Sequence, residues 1–111
     1  METSVANCAS AYAAEVQPDK ETERNAVKSI LELIKQKAPG KSVELRIPPY
    51  AAIQIIEGTN HRRGTPAAVV AMNAKTLILL AIGKISWAQA TEDGLVSASG
   101  ERSNLSDHFP V

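Results

Sequence analysis

The chain has 111 residues, with 12 basic and 12 acidic side chains and a formal net charge of zero. That length suits one domain, and the balanced charge excludes an obligate nucleic-acid binder, whose affinity rests on uncompensated Lys and Arg. The longest apolar stretch, residues 67–82, is interrupted by Asn73 and Lys75 and falls short of the roughly 20 residues of a membrane-spanning helix. The opening METSVANCASAYAAEV carries no basic flank and no sustained apolar core, which makes it a poor secretory signal. Cys8 is the one cysteine; it excludes an internal disulfide and fits a reducing cytoplasm. With His61 and His108 far apart in sequence, no metal site is expected. These features predict a soluble cytoplasmic domain with no cofactor.

Residues 1–18 are rich in Ala and Ser and lack bulky periodic residues, so they read as a flexible tail or a weakly helical lead-in. Asp19 after Pro18 is a good helix N-cap, and Glu21 and Glu23 suit the positive end of the dipole. Val27, Ile30, Leu31 and Ile34 recur on one helical face, with Lys35 and Lys37 in the last turn and Pro39-Gly40 as the stop. Val43, Leu45 and Ile47 alternate with Glu44 and Arg46, the period of a half-buried strand. Pro48-Pro49 ends it by removing two ladder donors. Residues 51–57 resume extended character, with Ile53 and Ile55 on one face and Gln54 and Ile56 on the other. Residues 58–66, GTNHRRGTP, form a loop, and Ala68 to Met72 a third strand.

Asn73 caps a helix carrying Leu77, Ile78, Leu80, Ala81 and Ile82. Being apolar on most of its circumference, that helix is predicted to be buried or to line a greasy interior. Gly83 supplies the left-handed residue that ends it. Ser86-Trp87-Ala88-Gln89 has the form of a capping box and starts a short helix closed by Gly94. Leu95 to Ser99 returns as a strand, and Gly100 turns the chain into a closing segment around Leu105. The element pattern is α+β, an α/β arrangement of helices against a sheet.

Charge is segregated along the chain: residues 1–34 carry three bases and six acids, 35–84 eight bases and two acids, and 85–111 one base and four acids. A basic middle can face an anionic head group, a phosphate or, peripherally, a membrane surface; segments alternate faces, so the same bases also read as solvated positions neutralised by the acidic flanks. His61, Arg62 and Arg63 in a Gly/Pro-bounded loop are candidates for anion binding. They equally decorate an exposed loop. No nucleophile–base set, P-loop or dinucleotide fingerprint is present, so no catalytic residue is assigned. Four aromatics offer little stacking surface for single strands, and no nucleic-acid partner is expected. Eight Val, nine Ile and eight Leu make a smooth wall for an acyl or terpenoid ligand. The same inventory fills a solid core in a domain of about 90 ordered residues, and composition alone favours that.

The segment VVAMNAKTLILLAIGKISWAQATEDGLVSASG, with glycines at 83, 94 and 100, resembles the C-terminal half of sterol carrier protein domains. The preceding VELRIPPYAAIQIIEG and HRRGTP resemble the short actinobacterial branch of that superfamily. The likeness covers about residues 20–111 and leaves the first 18 outside. It implies a two-layer α/β sandwich, a mostly antiparallel sheet covered on one side by helices, with an apolar tunnel between the layers. It also implies non-enzymatic binding of sterols, fatty acids or fatty acyl-CoA. By position the tunnel wall comprises Ile53 and Ile55 from the sheet, Leu77, Leu80 and Ala81 from the apolar helix, Trp87 from the short one, and Val27, Leu31 and Ile34 from the first. Plain core packing is the competing role at each. The chain is shorter than the animal carriers and has no apolar helix after Phe109. A solid-cored module that binds a protein partner through a sheet edge or the basic loop is the alternative.

Overall fold

The elements run α1 (Thr3–Ala13), α2 (Lys20–Lys37), β1 (Val43–Ile47), β2 (Ala51–Ile55), β3 (Ala68–Met72), α3 (Ala74–Ala81), α4 (Trp87–Glu92) and β4 (Val96–Ser99), with a 3-10 turn at Ser106–His108. The computed structural model describes residues 3–57, 68–100 and 103–111. The candidate anion loop, His61, Arg62 and Arg63, lies outside the described residues.

Each main helix begins where a short polar side chain satisfies a free N–H. Asp19 accepts from the Thr22 amide at 2.8 Å and from the Thr22 hydroxyl at 2.9 Å, and these bonds hold its carboxyl below the usual range. Asn73 accepts from the Thr76 amide at 2.8 Å and Ser86 from the Gln89 amide at 3.0 Å. The capping box at Ser86 is half made, because the Gln89 side chain turns away to Asp93 at 2.9 Å. Helix α2 stops at Ala38, whose carbonyl accepts from the Ile56 amide at 2.7 Å. That bond ties the end of α2 to the end of β2.

The sheet has strand order β2-β1-β3-β4. β1 pairs antiparallel with β2 and parallel with β3, and β3 pairs antiparallel with β4. It is therefore mixed, with antiparallel ladders at both flanks as expected. Leu45 stands between Ile53 and Val70, and Val43 between Ile55 and Ala68. Alternation sends Val43, Leu45, Ile47, Ile55, Val70 and Met72 to the buried side. The other face carries Glu44, Arg46, Ala52, Gln54, Val69, Ala71, Ser97 and Ser99 by register. The buried residues of all four helices join the inward strand residues in one core. Helix α3 buries six of its eight residues, five of them apolar members of this core. The C-terminal segment closes the molecule: Leu105 is fully buried, Phe109 stacks on Trp87 with ring centroids 6.1 Å apart, and the Val111 amide donates to Ala81 at 3.0 Å.

Two expectations are corrected. Of the two readings of the N-terminal segment, the helical lead-in holds and the loose tail does not: Thr3–Ala13 is helical and buries Val5, Cys8 and Tyr12. An 11-residue helix is shorter than the ~12–15 residues at which isolated helices become marginal in water, so it exists because of what it packs on. Those three residues fall at i, i+3 and i+7 and present one face to α2 and α3. The second extended run also ends early. Ile56 has φ 65° and curls back so that its carbonyl accepts from the amide of Ser42 at 3.0 Å and from its hydroxyl at 2.5 Å.

This curl brings Ile56 against Gly40, where a Cβ would lie 2.2 Å from the Ile56 carbonyl carbon and oxygen. Gly40→Ala is expected to lower stability by about 2–4 kcal/mol, since backbone on both sides must shift. At Gly94 a Cβ meets nothing within 4 Å and only φ +73° opposes it, so Gly94→Ala should lose only about 1 kcal/mol. Urea unfolding of the two variants, compared with the parent, checks the ranking.

Candidate functional site

The nine side chains expected to wall an apolar tunnel all meet in one place. Val27, Leu31 and Ile34 of α2, Ile55 of β2, and Leu77, Leu80 and Ala81 of α3 are buried, Trp87 of α4 nearly so, and Ile53 of β2 is half-buried against them. Ile30, Leu45, Ile47 and Ile78 are fully buried in the same layer. Four elements position most of these residues for simple reasons. The stripe of α2 has helical period, β1 and β2 have period two, and α3 is apolar on nearly every side, so it alone can sit with both flanks covered. The resulting layer between sheet and helices is aliphatic, with Trp87 at its margin.

A groove of about 280 Å³, partly open to solvent, lies at the C-terminal end of α2 and is lined by Ile34, Lys37, Asp107, His108 and Pro110. Ile34 belongs to both groove and core, so the groove leads to the edge of the aliphatic layer. Lys37 and His108 supply cationic or hydrogen-bonding groups at its rim, with Asp107 beside them. The described ends of the candidate anion loop lie at this same end of the sheet, because Ile55 and Ala68 both pair with Val43 and Ile56 bonds to Ala38.

At the opposite end sits a polar cluster that sequence reasoning missed. Glu23 is only 7% exposed. Its Oε2 accepts from the Tyr12 hydroxyl at 2.5 Å and from the Gln17 amide at 3.1 Å, and its Oε1 accepts from the Tyr50 hydroxyl at 2.7 Å. A buried carboxylate is costly unless its lone pairs are met, and here three donors from α1, the connection and the β1–β2 turn meet them. The Lys75 ammonium lies 5.7 Å from the centre of the Tyr12 ring, a cation–π contact from α3 to α1. One signal was available in the sequence: Glu23 extends the stripe of Val27, Ile30 and Ile34 back by one turn. Read as a first-turn acid, it looked exposed.

The cluster shifts both phenols. Burial, then the hydrogen bond to Glu23 and its negative charge, pushes Tyr12 far above the ordinary tyrosine value. The bond to Glu23, reinforced by burial and charge, pushes Tyr50 up to about 12. Among the described residues no group of three or more His, Cys, Asp or Glu converges as a metal site, and no helix is long and apolar enough to cross a membrane.

A mixed four-stranded sheet covered on one side by helices, with a continuous aliphatic layer between them, defines an α+β domain. Over residues 19–111 the chain matches the family model described as bacterial SCP ortholog, SCP being sterol carrier protein, and the chain belongs to that family. No curated protein matches it. Helix α1 lies outside the matched span.

Tyr12 and Tyr50 are the only tyrosines, so phenolate absorbance reports on this cluster alone. In the native protein ionisation is expected above pH 10, with Tyr50 near 12, and Glu23→Gln should return Tyr50 toward 10. Because folding raises both values, the stabilisation they carry is complete below the unfolded value of about 10 and declines as pH climbs through the folded ones. A spectrophotometric titration with parallel unfolding midpoints from pH 8 to 12 checks both; phenolate appearing at pH 10 with the fold intact contradicts the cluster.

Proposed function

We propose that the protein is a non-catalytic carrier or sensor of an acyl-chain ligand, a fatty acid or a fatty acyl-CoA. The observation that carries this reading is the continuous aliphatic layer between the sheet and helices α2 and α3. An acyl tail gains roughly 0.8 kcal/mol per methylene removed from water, and such a layer imposes no polar group on it. Family membership supports the same reading.

In this reading the tail lies along Val27, Leu31, Ile34, Ile53, Ile55, Leu77, Leu80, Ala81 and Trp87, and the anionic head rests at the C-terminal end of α2. Lys37 at the groove and His61, Arg62 and Arg63, from the segment between Glu57 and Ala68, are the groups assigned to hold it. Charge-assisted bonds to carboxylate or phosphate are the strong ones, which is why a head there adds affinity that a neutral lipid lacks.

Native mass spectrometry of the full-length protein with dodecanoate, dodecanoyl-CoA and monododecanoylglycerol tests this. Adducts are expected with the two anionic ligands. Arg63→Glu or Lys37→Glu should weaken dodecanoyl-CoA by about tenfold or more while leaving the neutral glyceride within about twofold. Equal losses for both ligands remove the head-group assignment, and no adduct with any of the three removes the carrier reading.

A further inference from the structure

The aliphatic layer is filled. Ile30, Leu45, Ile47, Ile55, Leu77, Ile78 and Leu80 are each under 2% exposed, and interiors of this kind pack as densely as organic crystals. A site for a small amphiphile needs a cleft of roughly 300 Å³ or more, so admitting a tail requires the helices to lift from the sheet. Helix α1 lies against both of the helices that would have to move. It packs on α2 and α3 and, through Tyr12 and Gln17, shares the Glu23 carboxylate with Tyr50 of the β1–β2 turn.

Of the three longer helices, α1 is also the best placed to leave. Three buried side chains, Val5, Cys8 and Tyr12, hold it, against six in α2 and six in α3. It lies outside the span matched by the family model. Its connection to α2 runs exposed from Ala14 to Gln17 before Pro18 is buried ahead of α2; Glu15 takes the left-handed conformation at φ 57°, and Val16 is 59% exposed. The bonds that close this turn, Glu15 to Tyr12 and Val16 to Ala11, stay within α1 and its own end. Among the described residues, the contacts broken by swinging α1 away include its apolar seam with α2 and α3, the Tyr12 and Gln17 bonds to Glu23 and the Lys75–ring contact. The Tyr50–Glu23 bond and every sheet ladder are left in place.

We propose that α1 is a hinged cover, latched by Glu23, that opens without unfolding of the sheet and must open for an acyl chain to enter the layer beneath. The second half of this proposal rests on the acyl-chain reading above; the first half does not.

The chain carries its own reporter. Cys8 is the one cysteine, lies on the buried face of α1 and has no exposure, so its reaction with dithiobis-nitrobenzoate measures opening of α1. In the full-length protein the labelling rate is expected to be nearly independent of urea below the unfolding transition, which the single tryptophan, Trp87, marks by fluorescence. Tyr12→Phe, which keeps the ring and removes the latch hydroxyl, should speed labelling about tenfold. Labelling that follows the full urea slope of global unfolding shows that α1 leaves only with the rest of the fold, and overturns the cover.

Dodecanoate is then added while its binding is followed by native mass spectrometry. Binding with faster Cys8 labelling supports entry beneath α1; binding with unchanged or slower labelling overturns it. If dodecanoate and the other acyl probes do not bind at all, the acyl-chain reading and entry beneath α1 fail together. The hinged cover is then decided by the urea dependence alone.

Discussion

Everything else in the molecule depends on the contact between the apolar stripe of α2 and the inner face of the sheet. Val27, Ile30, Leu31 and Ile34 meet Val43, Leu45, Ile47 and Ile55 in one buried cluster. The helix has 18 residues and the strands four or five. At 1.5 Å per residue α2 is about 27 Å long, whereas a five-residue strand spans about 17 Å. The helix is therefore longer than any strand it covers, and polar bonds pin it at each end. Ala38 receives Ile56 at one end, and Glu23 receives Tyr50 at the other. The burial is non-directional; these two anchors set the register of helix on sheet.

The two anchors differ in kind. The Ala38–Ile56 bond is backbone to backbone and depends on chain path, which is why a glycine stands beside it. The Glu23 anchor is made of side chains and has three donors on two oxygens. A buried network of this sort is stable while complete and costly when one member is missing. It joins parts of the chain distant in sequence, α1, α2 and the β1–β2 turn, and so makes their positions mutually dependent. Among the described residues no buried side-chain nitrogen or oxygen lacks a partner.

Much of this architecture is legible in the residues because the signals are local. Asp19, Asn73 and Ser86 cap helices by geometry that spans three residues, and the alternation of Val43, Leu45 and Ile47 names the inward face of β1 without reference to any other strand. The stripe of α2 and the all-round apolarity of α3 place six of the nine candidate layer residues on inward faces, and the alternation of β2 places Ile53 and Ile55. What was not legible is what depends on pairing across long separations. Helix α1 has only Val5, Cys8 and Tyr12 to offer, a pattern too sparse to stand out against an Ala- and Ser-rich background. Glu23 has the identity of a surface residue and the position of a core one, and only the arrival of Tyr12 and Tyr50 resolves that conflict. The parallel pairing of β1 with β3 is a property of chain path. The curl at Ile56, likewise, follows from where Ala38 and Ser42 lie.

The last strand carries a consequence for how copies of this chain meet one another. β4 is four residues long, Val-Ser-Ala-Ser, and its three final side chains are exposed. It forms one border of the sheet, where unpaired backbone groups can template further strand addition. A neighbour adding there would gain a short run of amide bonds but almost no apolar side chain to bury against, since serine and alanine offer little. The opposite border, β2, ends in the Ile56 curl, which bends the chain out of the extended path. Neither margin is a long, flat, greasy template: β4 has little to bury, and at β2 the curl at Ile56 cuts short the extended run that carries Ile53 and Ile55, where a fibril would otherwise begin.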